Sequence, residues 1–391
     1  MKEGWTYKKL GDLCDFQGGS QPPKSEWSTI QKDGFVRMLQ IRDFTKSRNC
    51  EKEYVKLTNK LRFCEESDIL IGRYGASVGK ILTGLEGAYN VAIIKSIPNE
   101  TIISKKYIRY YFESPLFQNF LLKICSSRTA QAGFSKDDIS ELKVPLPSDK
   151  TEQQRIVSFL DAHFAKIDAI KANAEKKLQE AKALLDKSIT EFILYREGWN
   201  KSKLKDLCSI TGEYGLNESA IEYNGIRYLR ITDITANGNL NDDKVSCANI
   251  TGKTQAKLEE GDILFARTGA TVGKTLVYRE EFGDCNFAGY LIRYRTNPNI
   301  IIPQYLFYFT HSSEYYKWVS KNQAVAAQPN ISAQKYNLLE IHYPTSIKEQ
   351  YSIVNKLDRI SEKIRQLQSN YSQTVTLCED LKISLLKDIF S

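Results

Sequence analysis

Long apolar runs, histidines and closely spaced cysteines are scarce in this 391-residue chain. No apolar stretch reaches the roughly 18 residues that a membrane-spanning helix needs. The start, MKEGWTYKKL, carries charges where a secretory signal would be apolar, so we expect a folded cytoplasmic protein. The eight cysteines lie at least 14 residues apart, which excludes CxxC zinc or redox pairs and favours reduced, mostly buried thiols.

Residue constellations for catalysis are lacking as well. The three histidines show no metal-ligand spacing, and no metal site is expected: His163, His311 and His342. The run GATVGKT at 269–275 has three residues between its glycines, whereas a phosphate-binding loop needs four. No Gly-rich cofactor turn opens a helical pattern. The sequence therefore predicts a binding protein and not an enzyme.

Net charge is +8, and its distribution is uneven. Residues 1–150 carry 24 basic and 18 acidic groups, whereas residues 197–345 carry 16 of each. This excess favours a polyanionic partner that binds the first segment more strongly.

The chain is an internal tandem repeat with a period near 194 residues. The longest match aligns SDILIGRYGASVGKI (67–81) with GDILFARTGATVGKT (261–275), and LQIRD (39–43) aligns with LRITD (229–233). Each half begins with short β-type runs and one aromatic helical stretch, and ends in about 45 residues without Pro or Gly. The Tyr and Phe clusters at 107–112 and 305–309 are expected to lie in the core.

The two Pro- and Gly-free segments have the 3-4 spacing of a coiled coil. The first series is Val157, Leu160, Phe164, Ile167, Lys171, Ala174, Leu178, Ala181, Leu185, Ser188 and Phe192. The second is Leu357, Ile360, Ile364, Leu367, Tyr371, Thr374, Cys378, Leu381 and Leu385. Capping boxes are predicted at Thr151 with Gln154 and at Ser346 with Glu349.

The predicted fold class is α+β. Two homologous mixed α/β globules are joined by two long helices, each about 68 Å long, packed as an antiparallel coiled coil in a pseudo-twofold arrangement. The alternatives are helices that fold back on their own globule or pair with another chain. The expected boundaries are 1–147 and 197–344 for the globules and 148–196 and 345–391 for the helices. Such a pair of globules suits two separated sites on one long ligand, of which DNA is the commonest, or two protein partners.

An ordered set of motifs, present twice, resembles the specificity subunit of Type I restriction-modification systems. The motifs are Trp5 and Trp199, Gln40 to Asp43 and Arg230 to Asp233, Asp68 to Lys80 and Asp262 to Lys274, Ala130-Gln131 to Ser135 and Ala327-Gln328 to Ser332, Pro147 with Glu152 to Val157, and Pro344 with Glu349 to Val354. The resemblance covers the whole chain.

The resemblance implies a non-catalytic subunit with two target-recognition domains, each reading one half of a bipartite site in double-stranded DNA. The helices would set the spacing and, with the globules, dock two methyltransferase (modification) subunits, and two restriction subunits would complete the complex. The methyl donor, S-adenosylmethionine, would bind the partner, so no cofactor is expected here. Two alternatives stay open: a specificity subunit of a fused restriction-methyltransferase enzyme, and a non-DNA scaffold with two protein-binding arms.

The repeated loops supply the first candidate DNA contacts. Arg73 and Arg267 suit phosphate or a guanine edge, with an internal salt bridge to Asp68 or Asp262 as the alternative. Lys80 and Lys274 suit phosphate. Positions that differ between the halves are candidates for base reading. Asp43 and Asp233 are expected to be structural, because phosphate repels a carboxylate. The full candidate set is Gln40, Arg42, Arg73, Tyr74, Ser77, Lys80, Arg128, Gln131, Arg230, Thr232, Arg267, Thr268, Thr271, Lys274, Gln323 and Gln328.

Overall fold

The computed structural model describes residues 4–45, 51–126, 133–248, 256–323 and 329–391. The chain divides into two compact units, Met1–Ala174 with Gln373–Ser391, and Glu175–Ser372. The boundary between the units crosses both long helices. Each unit therefore contains one globule and part of each helix.

The first half of the chain contains the following elements, in order: β1 (Trp5–Lys9), α1 (Leu10–Leu13), β2 (Cys14–Gly18), β3 (Trp27–Ser28), β4 (Phe35–Leu39), α2 (Ile41–Thr45), β5 (Tyr54–Lys56), β6 (Phe63–Cys64), β7 (Ile69–Gly72), β8 (Ile81–Leu82), β9 (Gly87–Tyr89), β10 (Ile93–Pro98), α3 (Lys105–Glu113), α4 (Pro115–Ser126), α5 (Lys136–Ser140), β11 (Lys143–Pro147) and α6 (Lys150–Ile193).

The second half follows the same plan: β12 (Asn200–Lys203), β13 (Cys208–Tyr214), β14 (Ala220–Glu222), β15 (Arg227–Leu229), β16 (Val245–Cys247), β17 (Asp262–Ala266), β18 (Thr275–Val277), β19 (Cys285–Phe287), β20 (Leu291–Thr296), α7 (Pro303–Phe309), α8 (Ser313–Asn322), α9 (Ala333–Asn337), β21 (Glu340–Tyr343) and α10 (Ile347–Phe390).

An antiparallel four-stranded sheet occurs in each unit with the same strand order. The order is β2-β10-β7-β8 in the first and β13-β20-β17-β18 in the second. A two-stranded sheet joins the start of each globule to its end, with Trp5 opposite Pro147 and Asn200 opposite Tyr343. The matching topology confirms the duplication that the sequence predicts.

A second set of strands in each globule packs beside the four-stranded sheet. In the first unit it is a five-stranded sheet, β3-β5-β4-β9-β6, and in the second it is two pairs, β14-β16 and β15-β19. The parallel pairs β4-β9 and β15-β19 correspond to each other. The LQIRD and LRITD motifs begin with the last residues of β4 and β15, Leu39 and Leu229, so this part of the fold fixes their position.

The aromatic helical stretches form the cores, as the sequence predicts. Tyr107 and Tyr111 of α3 are fully buried, as are Tyr305 and Phe309 of α7. The seven described cysteines are unbonded and six of them are buried. Burial raises the pKa of the Cys14 thiol to about 12, so this thiol stays protonated at neutral pH.

The two long helices pack antiparallel within the first unit. Lys171 Nζ lies 2.6 Å from Glu379 Oε1, and Lys382 Nζ lies 2.5 Å from Asp168 Oδ1, so the pairs run in opposite directions. Near the end of α10, Phe390 is 1% exposed and lies in the core of this unit.

The same antiparallel packing occurs in the second unit between the end of α6 and the start of α10. Ile189 and Ile193 share a core cluster with Ile353, Val354 and Leu357. The predicted antiparallel pairing of the helices is therefore confirmed within each unit.

The predicted seam of the coiled coil is correct for α6 and partly wrong for α10. Every predicted position of α6 is buried or half-buried. In α10, Leu367 and Leu381 are 43% and 50% exposed, while the next residues, Gln368 and Lys382, are half-buried. The 3-4 spacing fixes a stripe only to within one residue, and polar side chains with long apolar stems fill the alternative positions.

One of the two predicted capping boxes is wrong. α6 begins at Lys150, and Asp149 Oδ1 accepts a hydrogen bond from Thr151 N at 2.8 Å, so Asp149 and not Thr151 caps the helix. A carboxylate is at least as good an N-cap as a hydroxyl. At α10 the prediction is confirmed in part, because Ser346 Oγ accepts from Glu349 N at 3.4 Å.

A buried glutamine fixes the start of each long helix. Gln153 is 1% exposed; its Oε1 accepts from Ser104 N at 2.9 Å, and its Nε2 donates to Ile102 O at 3.2 Å. Gln350 makes the equivalent bonds with Ile302 N and Ile300 O. The glutamine of the Glu-Gln motif therefore joins each helix to its globule.

Replacing Gln153 with alanine is expected to lower the free energy of unfolding by about 2–4 kcal/mol, because buried backbone groups lose their partners. Denaturant unfolding followed by circular dichroism measures this change. Gln154→Ala is the matched control, because Gln154 is the exposed neighbour on the same helix. Equal stability of the two variants would contradict the assignment.

Among the described residues, no helix combines the length and the apolar character that crossing a membrane requires.

Candidate nucleic-acid interface

Two loops of nearly identical backbone, 73–80 and 267–274, are the best candidate site; we call them the arginine–lysine loops. Each follows a central strand of its four-stranded sheet and contains one turn of 3-10 helix, Gly75–Ser77 or Gly269–Thr271. Backbone hydrogen bonds close both loops, from Gly72 N to Lys80 O at 2.9 Å and from Ala266 N to Lys274 O at 2.8 Å. Because the two loops of this chain have the same backbone plan, we expect them to share a role.

The glycines of the loops serve two different purposes. Gly75 has a φ of +58° and open space where a side chain would lie. Gly79 and Gly273 have φ values of +76° and +88°, and a Cβ there would approach Gln118 Oε1 to 2.5 Å and Val319 to 3.0 Å. The second glycine thus lets the loop pack closely against α4 or α8, while the first leaves the loop surface open.

Neither loop arginine is paired with a carboxylate among the described residues. The internal salt bridges considered as the alternative do not form. Asp68 instead binds Lys95 and Lys105, each at 3.1 Å. In the second half, a carboxylate oxygen of Asp262 lies 2.7 Å from Arg295. The charge of the loop arginines is therefore not neutralised by these aspartates.

Both loop arginines lie over tyrosine rings. The Arg73 guanidinium carbon is 5.1 Å from the centre of the Tyr74 ring, and Arg73 Nε donates to Phe134 O at 3.2 Å. The Arg267 guanidinium carbon is 4.8 Å from the centre of the Tyr214 ring. A stacked guanidinium keeps its hydrogen-bonding edge for a phosphate or a guanine edge. The sequence did not predict the contact between Tyr214 and Arg267, because Tyr214 ends β13 and is far from Arg267 along the chain.

The loop lysines differ from each other. Lys80 is exposed and makes no ion pair among the described residues. Lys274 is half-buried, and its Nζ donates to Ile234 O at 3.0 Å. Lys80 is therefore the better phosphate ligand.

The hydroxyl residues of the loops are mainly internal. Ser77 is half-buried. Thr268 is 4% exposed, and Thr271 Oγ1 donates to Thr268 O at 3.0 Å. Thr268 therefore has little surface for a base contact, whereas Tyr74 at the equivalent position is 37% exposed.

Candidate readers outside the loops bind acidic residues. In the first unit, Gln40 and Arg42 both donate to the carboxylate of Glu53. The backbone N of Gln40 donates to Asp43 at 2.7 Å, which confirms a structural role for this aspartate. Glu53 itself was not predicted, because it follows the motif at no characteristic spacing.

The equivalent candidate in the second unit is Arg230. Its Nη2 lies 2.8 Å from Asp233 Oδ1 and 2.7 Å from Asp243 Oδ2. These bonds, chiefly the one to Asp233, raise the pKa of Arg230. Asp233 is fully buried, which confirms its structural role, and Thr232 beside it is exposed.

Three candidates, Arg128, Gln131 and Gln328, lie outside the described residues. Gln323 follows α8, is half-buried, and its N donates to Val319 O at 2.9 Å. Isolated β-bridges place Gly133 opposite Tyr74 and Asn330 opposite Thr268. The chain that follows each undescribed segment therefore runs alongside its arginine–lysine loop.

Comparison with known proteins agrees with this architecture. A family model described as the Type I restriction modification DNA specificity domain matches residues 2–180 and 196–376. The Type I restriction enzyme MjaVIII specificity subunit of Methanocaldococcus jannaschii is 23% identical over 385 residues, covering 93% of this chain and 88% of that protein. The StySPI specificity subunit of Salmonella potsdam is 23% identical over 422 residues, covering 100% and 89%.

Two solved structures share the fold. A chain from a structure of type I R-M system assembly and conformational transition has a TM-score of 0.76 at 17% identity, covering 99% of this chain and 97% of that one. The HsdS subunit from Thermoanaerobacter tengcongensis has a TM-score of 0.54 at 17% identity, covering 100% and 97%. Since the family model matches both halves and nearly the whole chain, the protein belongs to the family of Type I restriction-modification DNA specificity subunits.

Proposed function

We propose that the arginine–lysine loops are the DNA-contacting centres of the two recognition domains of this non-catalytic specificity subunit. Each domain reads one half of a bipartite site. The observation that carries the proposal is the recurrence of one hydrogen-bonded loop in both units, with an arginine over a tyrosine ring and paired with no carboxylate among the described residues. Such an arginine retains its full charge for DNA.

The candidate residues fall into two groups, according to whether their side chains bind a carboxylate in the structure. Arg73 and Arg267 bind a guanine edge or phosphate, and Lys80 binds phosphate. Arg42 and Arg230 already face carboxylates, so they contribute little to phosphate attraction and act, with Gln40 and Thr232, in base reading. Because these residues differ between the domains, the two half-sites differ in sequence.

The subunit acts in a complex in the cytoplasm. Two methyltransferase subunits bind its helices and globules, and two restriction subunits complete the endonuclease. S-adenosylmethionine binds the methyltransferase subunits. The antiparallel helices, which are continuous through both units, set the distance between the half-sites.

Selection from a random duplex library tests the proposal. The full chain with its methyltransferase subunits is expected to enrich two fixed blocks separated by a gap of constant length and free sequence. The methyltransferase subunits alone serve as the control and should enrich no such pair. Enrichment of one continuous block, or of none, would contradict a bipartite reader.

Salt titration distinguishes the two loop lysines. Lys80→Ala is expected to reduce the slope of log affinity against log salt by about one, since one phosphate contact is lost. Lys274→Ala is the matched variant and should change the slope less, because Lys274 is half-buried and bound to Ile234 O. A larger effect at Lys274 would reverse the assignment.

A further inference from the structure

The stacking ring beneath the loop arginine comes from a different chain position in each unit. In the first unit it is Tyr74, the residue after Arg73, and in the second it is Tyr214 at the end of β13. Both rings are partly exposed, at 37% and 41%. The two domains therefore build the same stack in different ways.

The strand register shows that the two tyrosines are not equivalent residues. Gly18 lies opposite Ile94, and Tyr214 lies opposite Ile292, at the same place in the two four-stranded sheets. Gly18 thus occupies the position of Tyr214. A Cβ on Gly18 would lie 3.4 Å from Arg73 Nη1, so the arginine in the first unit passes close to the site where the second unit has its ring.

A third position changes together with the tyrosines. Gly133 lies opposite Tyr74, and a Cβ on Gly133 would approach Tyr74 Cδ1 to 2.4 Å, so the ring packs against the glycine backbone. In the second unit, Asn330 lies opposite the small Thr268. A side chain at 133 is therefore incompatible with the ring of Tyr74 in this position.

The coupled positions form two sets. The first is Gly18, Tyr74 and Gly133, and the second is Tyr214, Thr268 and Asn330. Each set provides one ring and removes the side chain that would obstruct it. This pattern is expected if each arginine needs a ring beside it and the ring approaches the arginine from a different direction in the two units.

We propose that Tyr74 and Tyr214 are positioning residues that orient Arg73 and Arg267, and that the coupled sets determine which base each arginine meets. The inference rests on the proposed function of the arginine–lysine loops. A ring on one side of the guanidinium attracts the cation and restricts the directions in which its N–H groups can point. A ring from the loop and a ring from a neighbouring strand present that edge differently.

Tyr214 has the larger expected effect of the two tyrosines. Arg73 has a second anchor, because its Nε donates to Phe134 O at 3.2 Å. Arg267 Nε is buried and has no hydrogen-bond partner among the described residues, so the ring is its principal support. The Tyr214 hydroxyl accepts from Ala333 N at 3.0 Å, a bond that does not involve the face of the ring turned to Arg267.

Substitutions at Tyr214 in the full chain, assayed with its methyltransferase subunits, test the inference. The probes are a duplex carrying the selected bipartite site and two duplexes in which one half-site is scrambled. Tyr214→Leu is expected to weaken binding to the intact site by about fivefold to tenfold and to relax preference in the second half-site alone. Tyr214→Phe keeps the ring and is expected to restore most of that binding.

Transplanting the first set into the second unit tests the coupling. Tyr214→Gly alone is expected to lose binding, and the triple variant Tyr214→Gly, Thr268→Tyr, Asn330→Gly is expected to regain most of it with an altered base preference in the second half-site. Thermal unfolding shows whether each variant is folded, and if Tyr214→Gly is not, the Leu and Phe variants decide.

The Arg267 and Tyr214 variants distinguish failure of the positioning role from failure of the proposed DNA contact. If Arg267→Ala weakens binding but Tyr214→Leu binds like the unsubstituted chain, the positioning role is overturned and the proposed function stands. Equal losses for Leu and Phe also overturn it. If Arg267→Ala itself has no effect, the proposed DNA contact fails.

Discussion

Arg73→Ala is expected to weaken binding of the chain and its methyltransferase subunits to their specific duplex by about 1–3 kcal/mol, roughly fivefold to 150-fold. The lost contact is charged, and among the described residues no carboxylate neutralises it. Because Arg73 lies in the first unit, the variant should also tolerate base changes in one half-site while discriminating as before in the other. Competition binding with duplexes mutated in each half measures both effects.

Arg155→Ala is the matched control for Arg73→Ala. It removes the same charge from the same unit, but Arg155 lies on α6 and its Nε bonds Glu152 at 2.6 Å. It should therefore change specific binding little. If both variants lose the same affinity on specific and scrambled duplexes, Arg73 contributes only net charge.

Phe390→Ala is expected to destabilise the first unit by about 3–5 kcal/mol, although residue 390 is nearly at the end of the chain. The Phe390 ring is 1% exposed and lies 5.3 Å from the ring of Tyr107 and 5.7 Å from that of Tyr111. Removing the Phe390 ring leaves a cavity beside the rings of Tyr107 and Tyr111. Denaturant unfolding should show an earlier transition for this unit, and specific DNA binding should fall with it.

Ile383→Ala on the same helix is the control, since Ile383 is 52% exposed. Its loss of stability should be below about 1 kcal/mol, as for other surface substitutions. If Phe390→Ala unfolds like Ile383→Ala, α10 does not complete the core of the first unit.

The sequence predicts the parts of the fold that local pattern determines. The 3-4 spacing predicts two helices of about 45 residues, and both helices have 44. Runs of aromatic residues predict that α3 and α7 lie in the cores of the two globules. The exposed Leu381 and the cap at Asp149 were not predicted, because the pattern does not choose between neighbouring residues that can serve equally well.

The candidate site was predicted as a set of loops but not as a set of contacts. The internal repeat identifies the arginine–lysine loops, because the same residues recur at equivalent positions in the two halves of the chain. Glu53 beside Arg42 and Tyr214 beneath Arg267 are brought together by tertiary structure, at separations that no local spacing marks. The assignment of each candidate to a base or a phosphate stays a prediction.

A genome-wide map of methylated bases shows whether this chain directs methylation to a bipartite site. Cells that carry this chain and its methyltransferase subunits should show one bipartite motif with a constant gap, and that motif should vanish when the chain is removed. With Arg267→Ala, one half of the motif should relax and the other should remain as it was. A motif that persists without the chain, or two halves that relax together, would contradict the account.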